Sequence, residues 1–322
     1  MQMRIEFKWI FAASFAIAAM PATAQYPSRP ILLVVPFTPG TGIDILARTL
    51  GPRLSERLGQ AVAVDNKAGA SSLIGTEFVA RAAPDGHTLL VTATSLTITA
   101  ALNKKLPYDV EKSFAPISFV ATGTTALVVG NNTPAQNVGE FVALAKSKTG
   151  TLNYGSPGVG TGPHLAMELF KQEAGISMTH IPYKGAAGSF VDLIGGRIDA
   201  MFQPIHASLT YLQQGKLRML AILADNRSAV VPNVPTMKEA GYPNVQLENW
   251  YGILAPAATP RDIVARLNSE INAQLGTASV KEELSKQGLA TVGGSPSRLE
   301  EVIRSELVRW ARVVEKGNIK AE

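Results

Sequence analysis

The sequence alternates short β-branched, apolar runs with longer segments of helical spacing, and this alternation limits the fold more than any other feature. Ile31–Val35 is a predicted strand, and residues 44–58 are a predicted helix because their apolar residues recur every three or four positions. Such pairs are typical of βα units that build a mostly parallel sheet. Further strands are predicted at 61–64, 88–92, 127–129, 152–154, 179–182, 217–223 and 250–256, and further helices at 72–82, 138–147, 163–173, 187–195, 209–214, 260–275 and 296–316.

Glycine-rich corners separate several of these strands from the helices that follow them. Four stand out, at residues 37–42, 69–72, 155–162 and 184–188. In open α/β sheets, ligands bind beyond the carboxyl ends of the strands, where such corners lie. Free amides and the positive end of a helix dipole suit a carboxylate as readily as a phosphate. Tight packing alone explains the glycines of any single corner, but four corners together favour a site for a small anion.

The N-terminus has the order of a secretory signal peptide. Arg4 and Lys8 precede an apolar run at 9–20, and the small-residue triplet Ala22-Thr23-Ala24 follows. A membrane anchor is disfavoured because the run has about a dozen residues and a spanning helix needs about twenty. We therefore expect a signal peptide at 1–24 and an exported, periplasmic product whose length suggests two domains.

Composition excludes several classes of function. The chain has no cysteine, which removes disulfide scaffolds, thiol nucleophiles and cysteine-based zinc sites. The net charge of +5 comes from scattered Lys and Arg residues rather than from a basic stripe with interleaved aromatic residues. We therefore expect no nucleic-acid partner.

Nucleotide binding is also disfavoured. A dinucleotide fingerprint needs a third glycine that does not follow Gly40 and Gly42, and the glycines between 158 and 162 do not have P-loop spacing. Pro39 also removes a backbone donor that a phosphate site would use. No cofactor is predicted.

Two catalytic alternatives depend on the segment "YGSPGVGTGPHLAMEL". Ser156 lies near His164, but the pattern is not the G-x-S-x-G of a nucleophile elbow and no orienting acid is evident. Instead of acting as a nucleophile, Ser156 is expected to bind an anion or to cap a helix, as serines before helices usually do. His164 and Glu168 share a helix face, yet no third metal ligand is evident. We expect no metal and no enzyme activity, with a serine hydrolase as the less favoured alternative.

Four segments, in order along the chain, resemble one known family. "PFTPGTGIDILAR" resembles the P-F-x-P-G-G-x-x-D corner of the tripartite tricarboxylate transporter substrate-binding receptors, also called the Bug family. "DNKAGASSLIGTEFVARAAPDGHTLL", "YGSPGVGTGPHLAMELF" and "IPYKGAAGSFVDLIGGRIDAMF" are similar to its later segments. The chain departs from the usual glycines at Thr41, Ser71 and Ser72, and from the usual tyrosine at His87.

The resemblance implies a type II periplasmic-binding-protein-like α/β fold, in which two domains are joined by crossing strands and enclose a ligand. With crossings near 121–126 and 246–252, domain 1 would combine residues 25–123 with 249–322, and domain 2 would be residues 124–248. On this division the C-terminal helices, for which no strands are predicted, pack back on domain 1.

The implied function is capture of a small carboxylate between closing domains, for delivery to membrane subunits of a tripartite tricarboxylate transporter by a monomeric receptor. A receptor that signals to a membrane sensor is the alternative, since it needs the same closure. The expected contacts from domain 1 are Phe37, Thr38, Gly40, Thr41, Gly42, Asp44, Ala70, Ser71, Ser72, Thr94 and Ser95. Those from domain 2 are Ser156, Gly160, Thr161, His164, Ala186, Ala187, Asp199, Phe202 and Gln203, of which Phe202 and Gln203 would set specificity unless Phe202 is a core residue and Asp199 caps a turn. Lys184 would contact the anion or lie in solvent.

Overall fold

The structure is a computed structural model that describes residues 26–103, 105–183, 185–247, 249–317 and 319. The predicted signal peptide lies outside the described residues, and so does Lys184 of the fourth corner. In the described part of the chain, no helix is long and apolar enough to cross a membrane.

Strands and helices alternate along the described chain. The strands are β1 Ile31–Val35, β2 Val62–Asn66, β3 Thr88–Ala93, β4 Phe114–Gly123, β5 Thr125–Gly130, β6 Asn153–Ser156, β7 Thr179–Pro182, β8 Ala200–Pro204, β9 Leu217–Leu223, β10 Asn249–Pro256 and β11 Leu289–Thr291. The helices are α1 Gly42–Leu58, α2 Leu73–Ala80, α3 Ser95–Leu102, α4 Val138–Ser147, α5 Gly162–Ala174, α6 Ala186–Ile194, α7 Ile205–Gln213, α8 Arg261–Leu275, α9 Ala278–Ser285 and α10 Pro296–Gly317. A single 3₁₀ turn, Ala70–Ser72, precedes α2.

The strands form two mixed sheets. Sheet 1 has the order β11-β4-β10-β3-β1-β2, and sheet 2 has the order β7-β6-β8-β5-β9. Pairing is parallel from β1 to β2 and β3, and from β6 to β7 and β8. The other pairs are antiparallel, so the expectation of a mostly parallel sheet is wrong. The reason is that β5 and β10 each begin where the chain arrives from the other sheet, at the carboxyl ends of the parallel strands, and run against them.

Two crossings carry the chain between the sheets. β4 ends at Gly123 in sheet 1 and β5 begins at Thr125 in sheet 2, while β10 returns the chain to sheet 1. The Asn249 Nδ2 atom donates a hydrogen bond to Thr125 Oγ1 at 2.6 Å. We call sheet 1 with its helices the first lobe and sheet 2 with its helices the second lobe. The first residues of the two crossing strands are therefore hydrogen-bonded to each other where the lobes join.

Each sheet is covered on both faces, which explains its apolar strands. Along β1, Leu33 packs with the residues of α1 and α8, whereas Val34 packs with α2 and α10 on the other face. In sheet 2, Leu127 and Val128 of β5 separate in the same way between two clusters. Side chains alternate across a strand, so a central strand must be apolar at every position.

Helix α10 packs on both lobes. Leu299 and Ile303 lie in the core of sheet 1, while Trp310 is buried with Phe141 and Phe170 in the core of sheet 2. The first half of α10 therefore packs on the first lobe, and its second half packs on the second, which the sequence did not indicate. The C-terminal region also contains β11, an edge strand beside β4 that the sequence did not predict.

Candidate functional site

The glycine-rich corners of the two sheets meet each other. Because β1, β2 and β3 are parallel, the segments after them lie at one edge of sheet 1, and the segments after β6, β7 and β8 lie at one edge of sheet 2. The edges are in contact: a Cβ atom added to Gly160 would lie 2.4 Å from Leu102 Cδ1, and one added to Gly42 would lie 3.0 Å from His206 Cε1. We call the region between these edges the cleft.

The corner after β1 is held together by Asp44, at the start of α1. Its carboxylate accepts hydrogen bonds from the Gly40 amide at 2.9 Å, from Asn66 Nδ2 at 2.9 Å and from Arg48 Nε at 3.0 Å. Burial opposes ionisation, but these donors outweigh it and hold the pKa of Asp44 below its ordinary value. The Asp44 carboxylate and the Gly40 amide thus bind each other and hold the corner in shape.

The rest of this corner lies between the sheet 1 core and the crossing strand. The Thr41 side chain makes no capping bond to α1, because its hydroxyl donates back to the Thr38 carbonyl at 3.2 Å. Gly42 lies against a side chain of the crossing strand, since an added Cβ would lie 2.6 Å from Tyr251 Oη. The half-buried ring of Phe37 packs at the edge of the sheet 1 core.

The corner after β2 has an unusual backbone. Ala70, Ser71 and Ser72 all have positive φ values, of 44°, 51° and 84°. The Ser71 hydroxyl donates to the Val159 carbonyl of the other lobe at 3.1 Å, and Ser71 O accepts from Thr99 Oγ1 at 3.1 Å. Ser72 Oγ is buried without a hydrogen-bond partner among the described residues.

The corner after β3 opens α3. Thr94 Oγ1 accepts from the Trp250 amide at 3.1 Å, which joins this corner to the crossing strand β10. Ser95 Oγ, like Ser72 Oγ, is buried and has no hydrogen-bond partner within the described chain. Buried polar atoms usually have partners, so these two hydroxyls are donors or acceptors that a ligand can use.

The corner after β6 is filled by its own side chains. Ser156 Oγ lies 2.7 Å from His180 Nε2, while the Gly160 amide donates to His164 Nδ1 at 3.1 Å. Thr161 Oγ1 donates to the Gly158 carbonyl at 2.8 Å. Ser156 therefore contacts His180 and not His164, the histidine that the catalytic alternative had paired with it.

The two histidines stack within this corner. Their ring centroids are 4.2 Å apart, and Tyr154 stacks on His180 at 4.7 Å. Burial lowers the pKa of His164 to about 4 and that of His180 to about 3. Glu168 accepts hydrogen bonds from the Tyr154 hydroxyl and from Lys171. Both imidazoles are thus neutral at neutral pH.

The remaining candidates of the second lobe differ in position. Ala186 and Ala187 begin α6 at the cleft edge. The Gln203 Oε1 atom, at the end of β8, is buried and without a partner among the described residues. Phe202 instead points into the sheet 2 core, where it packs edge-to-face on Phe170 at 6.1 Å. Phe202 is therefore a core residue, and the expectation that its side chain sets specificity is wrong.

Asp199 lies away from the cleft. It precedes β8, next to the start of β6, and its Oδ2 atom accepts from the Asn153 amide at 2.7 Å. Because β6 and β8 are parallel, this is the edge of sheet 2 opposite to the one that carries Ser156 and Gln203. The structure does not bring Asp199 together with the other candidates.

Two residues at the cleft were missed from the sequence. His206 opens α7, which the sequence predicted to start only at residue 209, and Tyr251 lies on β10. Burial lowers the pKa of His206 to about 4 and raises that of Tyr251. The histidine follows β8 and lies in the first turn of α7, so recognising this strand-to-helix corner in the sequence would have found it.

This geometry defines a class of protein. Two mixed sheets whose corner-bearing edges face each other, joined by crossing strands, form a type II periplasmic-binding-protein-like fold, which confirms the predicted fold class. A model of the tripartite tricarboxylate transporter family receptor, TctC, matches residues 46–319. The chain belongs to this family.

Known proteins that are similar to this chain support its assignment to this family. Protein BugT of Bordetella pertussis is 37% identical over 313 residues, which cover 97% of this chain and 96% of BugT. Two solved structures are also similar. R. palustris Rpa4515 with adipate has a TM-score of 0.88 and 34% identity, covering 92% of this chain and 99% of that one. MatC from Rhodopseudomonas palustris with bound malate has a TM-score of 0.83 and 32% identity, covering 90% of this chain and 100% of that one.

Proposed function

We propose that this protein is an exported, periplasmic receptor that binds a small carboxylate in the cleft and delivers it to the membrane subunits of a tripartite tricarboxylate transporter. The observation that carries the proposal is the meeting of two sets of strand-to-helix corners across the cleft. Amides and helix N-termini at such corners favour anions. The carboxylates bound by Rpa4515 and MatC support the same ligand class.

The proposed site combines backbone and side-chain groups of both lobes. From the first lobe it takes the backbone of residues 38–42 and 70–72 and the hydroxyls of Ser72 and Ser95. From the second it takes Gln203 and the start of α6, with His206 and Tyr251 added from the structure. Support comes from three buried oxygen atoms that have no hydrogen-bond partner among the described residues: Ser72 Oγ, Ser95 Oγ and Gln203 Oε1.

We further propose the domain division 25–123 with 249–322, and 124–248, with α10 lying across both domains and the receptor acting as a monomer. The division follows the change of sheet at Thr125 and Asn249. A receptor that senses the ligand, rather than delivering it to a transporter, would need the same closure of the two domains. Uptake of the ligand and transcription, measured together in a deletion strain, separate the two roles.

Ligand capture without catalysis is supported by the surroundings of Ser156. The side chain is fully buried, and its hydroxyl also bonds the Gly158 backbone. A serine-directed covalent probe should leave the protein unlabelled while reversible ligand binding persists. Labelling at Ser156 would support the hydrolase alternative instead.

A thermal-shift screen tests the ligand class. The panel should contain adipate, malate, shorter and longer dicarboxylates, and the uncharged diamide of adipate as a matched control. A ligand at 100 times its dissociation constant adds about 2.7 kcal/mol of stability, so a true ligand raises Tm by several degrees. Two results would contradict the proposal: the diamide stabilises the protein as strongly as adipate does, or none of the carboxylates stabilises it.

A further inference from the structure

A side-chain hydrogen bond from Ser71 joins the two lobes across the cleft. Ser71 lies in the 3₁₀ turn before α2, on the first lobe, and Val159 lies in the loop between β6 and α5, on the second. The Ser71 hydroxyl donates to the Val159 carbonyl at 3.1 Å. This bond can exist only while the lobes are together.

The backbone at this position is strained. Ser71 has φ of 51° and lies between Ala70 and Ser72, which also have positive φ. Left-handed conformations are unfavourable for L-residues, whereas glycine adopts them freely. Glycine would relieve the strain at position 71 but has no hydroxyl to reach Val159.

The strained turn is held in place from its own lobe. Thr99 Oγ1, on α3, donates to the Ser71 carbonyl at 3.1 Å. Ser71 is thus fixed on one side by α3 and bound on the other side to the opposing lobe. The neighbouring Ser72 has the same strained backbone, but its hydroxyl is buried without a partner in the described structure.

Other groups of the two lobes lie near this contact. Gly158 belongs to the same loop as Val159, and a Cβ atom added to it would lie 3.9 Å from Ser71 Oγ. On the other side of the cleft, Gly42 and His206 touch because Gly42 has no side chain. The two lobes therefore contact each other at these residues.

We propose that the Ser71 hydroxyl is a latch that favours the closed arrangement of the lobes when no ligand is bound. A neutral hydrogen bond contributes about 1 kcal/mol net, which changes an equilibrium roughly fivefold. Any ligand that binds the closed form is then held more tightly, because the closed fraction enters the apparent affinity directly. The latch acts on closure itself and does not rest on the proposed carboxylate specificity.

The absence of cysteine allows a clean test on unliganded protein. Spin labels attached through Glu56→Cys, late in α1, and Gln213→Cys, at the end of α7, report the distance between the lobes. Both positions are exposed, and the first turns of these helices meet at Gly42 and His206. Pulsed electron–electron double resonance then measures the distance between the two spin labels and gives the populations of the closed and open forms.

The variants are matched in backbone. Ser71→Ala keeps the β-carbon and removes the hydroxyl, and we expect the open-to-closed ratio to rise about fivefold. Ser72→Ala removes a hydroxyl that makes no bond to Val159 and should leave the distribution unchanged. Ser71→Gly relieves the strain as well, and should open like Ser71→Ala if the hydroxyl is the cause.

Three results would overturn the proposal. They are an unchanged distance distribution in Ser71→Ala, an equal shift in Ser72→Ala, and a distribution for Ser71→Gly that stays like the parent protein. Circular dichroism of each labelled variant establishes that it is folded. The Ser71→Gly variant keeps the test decisive if alanine at a positive φ prevents folding.

Discussion

At the scale of single residues, Asp44 determines whether the first corner keeps its shape. Its carboxylate is the common acceptor for Gly40, Arg48 and Asn66, and the side chain is almost fully buried. A carboxylate at the start of a helix is ordinarily worth about 1 kcal/mol. Three donors lose their acceptor together if it is removed, so the structure raises the expected cost.

We predict that Asp44→Ala lowers the free energy of unfolding by about 2–3 kcal/mol, because hydrogen bonds to a buried charge are stronger than neutral ones. Urea denaturation measures the loss. The control is Asp65→Ala, which removes a half-exposed ion pair with Lys67 and should cost less than about 1 kcal/mol. Equal losses in the two variants would contradict this role for Asp44.

Gly42 lies too close to neighbouring groups to accept a side chain while the lobes are together. We predict that Gly42→Ala weakens binding of the carboxylate found by the thermal-shift screen, because the new Cβ would lie 2.6 Å from Tyr251 Oη and 3.0 Å from His206 Cε1. Thr41→Gly, one position earlier, should retain binding. Calorimetric titration measures both, and Tyr251→Phe in the Gly42→Ala background should recover part of the loss. Unchanged affinity in a folded Gly42→Ala variant would remove this corner from the site.

Residue types indicated the corners but not the contacts across them. The glycine-rich corners follow from local sequence, and the corners at 69–72 and 155–162 contact each other across the cleft. Ser71 and Val159 lie 88 residues apart in the sequence. Their contact depends on how the two lobes pack, and no local sequence pattern gives that information. Phe202 and Asp199 were misplaced because a strand's face and end are set by its partners: Phe202 faces the core, and Asp199 lies before β8.

At the scale of elements, the corner formed by β6, α5 and β7 should make stability depend on pH. His164 and His180 have folded-state pKa values of about 4 and about 3, below the ordinary value near 6.5. The unfolded chain therefore binds more protons between these values. Stability is complete above pH 6.5 and is lost as pH falls toward 4.

We predict that Tm falls between pH 7 and pH 4, with about 1–3 kcal/mol of the loss due to each histidine. Asn in place of His164 keeps an acceptor for the Gly160 amide, and Gln in place of His180 keeps a partner for Ser156. The double variant should lose less stability than the parent over this pH range. A parallel loss in both proteins would show that other groups cause it.

The elements themselves were predicted unevenly. β1 and the starts and ends of α4 and β9 follow directly from their apolar patterns. Helix α3 was missed because its sequence, SLTITAAL, is rich in β-branched residues that favour strands, and tertiary packing overrides that preference. β4 was recognised only as a crossing because Pro116 interrupts its pattern.

At the scale of the whole molecule, α10 is a third connection between the lobes. The two crossing strands were expected, but a helix anchored in both cores was not. Its sequence shows an amphipathic helix without showing which core receives each turn. Closure must therefore be compatible with a helix that contacts both lobes.

We predict that Trp310→Ala lowers the free energy of unfolding by about 3–5 kcal/mol, because it leaves a cavity among Phe141, Phe170 and their neighbours. Val308→Ala, on the exposed side of the same helix, should change stability by less than about 0.5 kcal/mol. Guanidinium denaturation with fluorescence and circular dichroism measures both variants. A small loss in Trp310→Ala would mean that α10 is not anchored in the second lobe.

The most direct test of the central claim is a crystal structure of the protein with the carboxylate that stabilises it most. We predict that the ligand lies between the lobes, with carboxylate oxygens about 3 Å from backbone amides of the corners at 38–42 or 70–72. Groups of the second lobe, such as Gln203 and His206, should contact its other end. A saturating ligand bound outside the cleft, with these corner amides in contact only with protein or solvent, would show that the corners do not form the binding site.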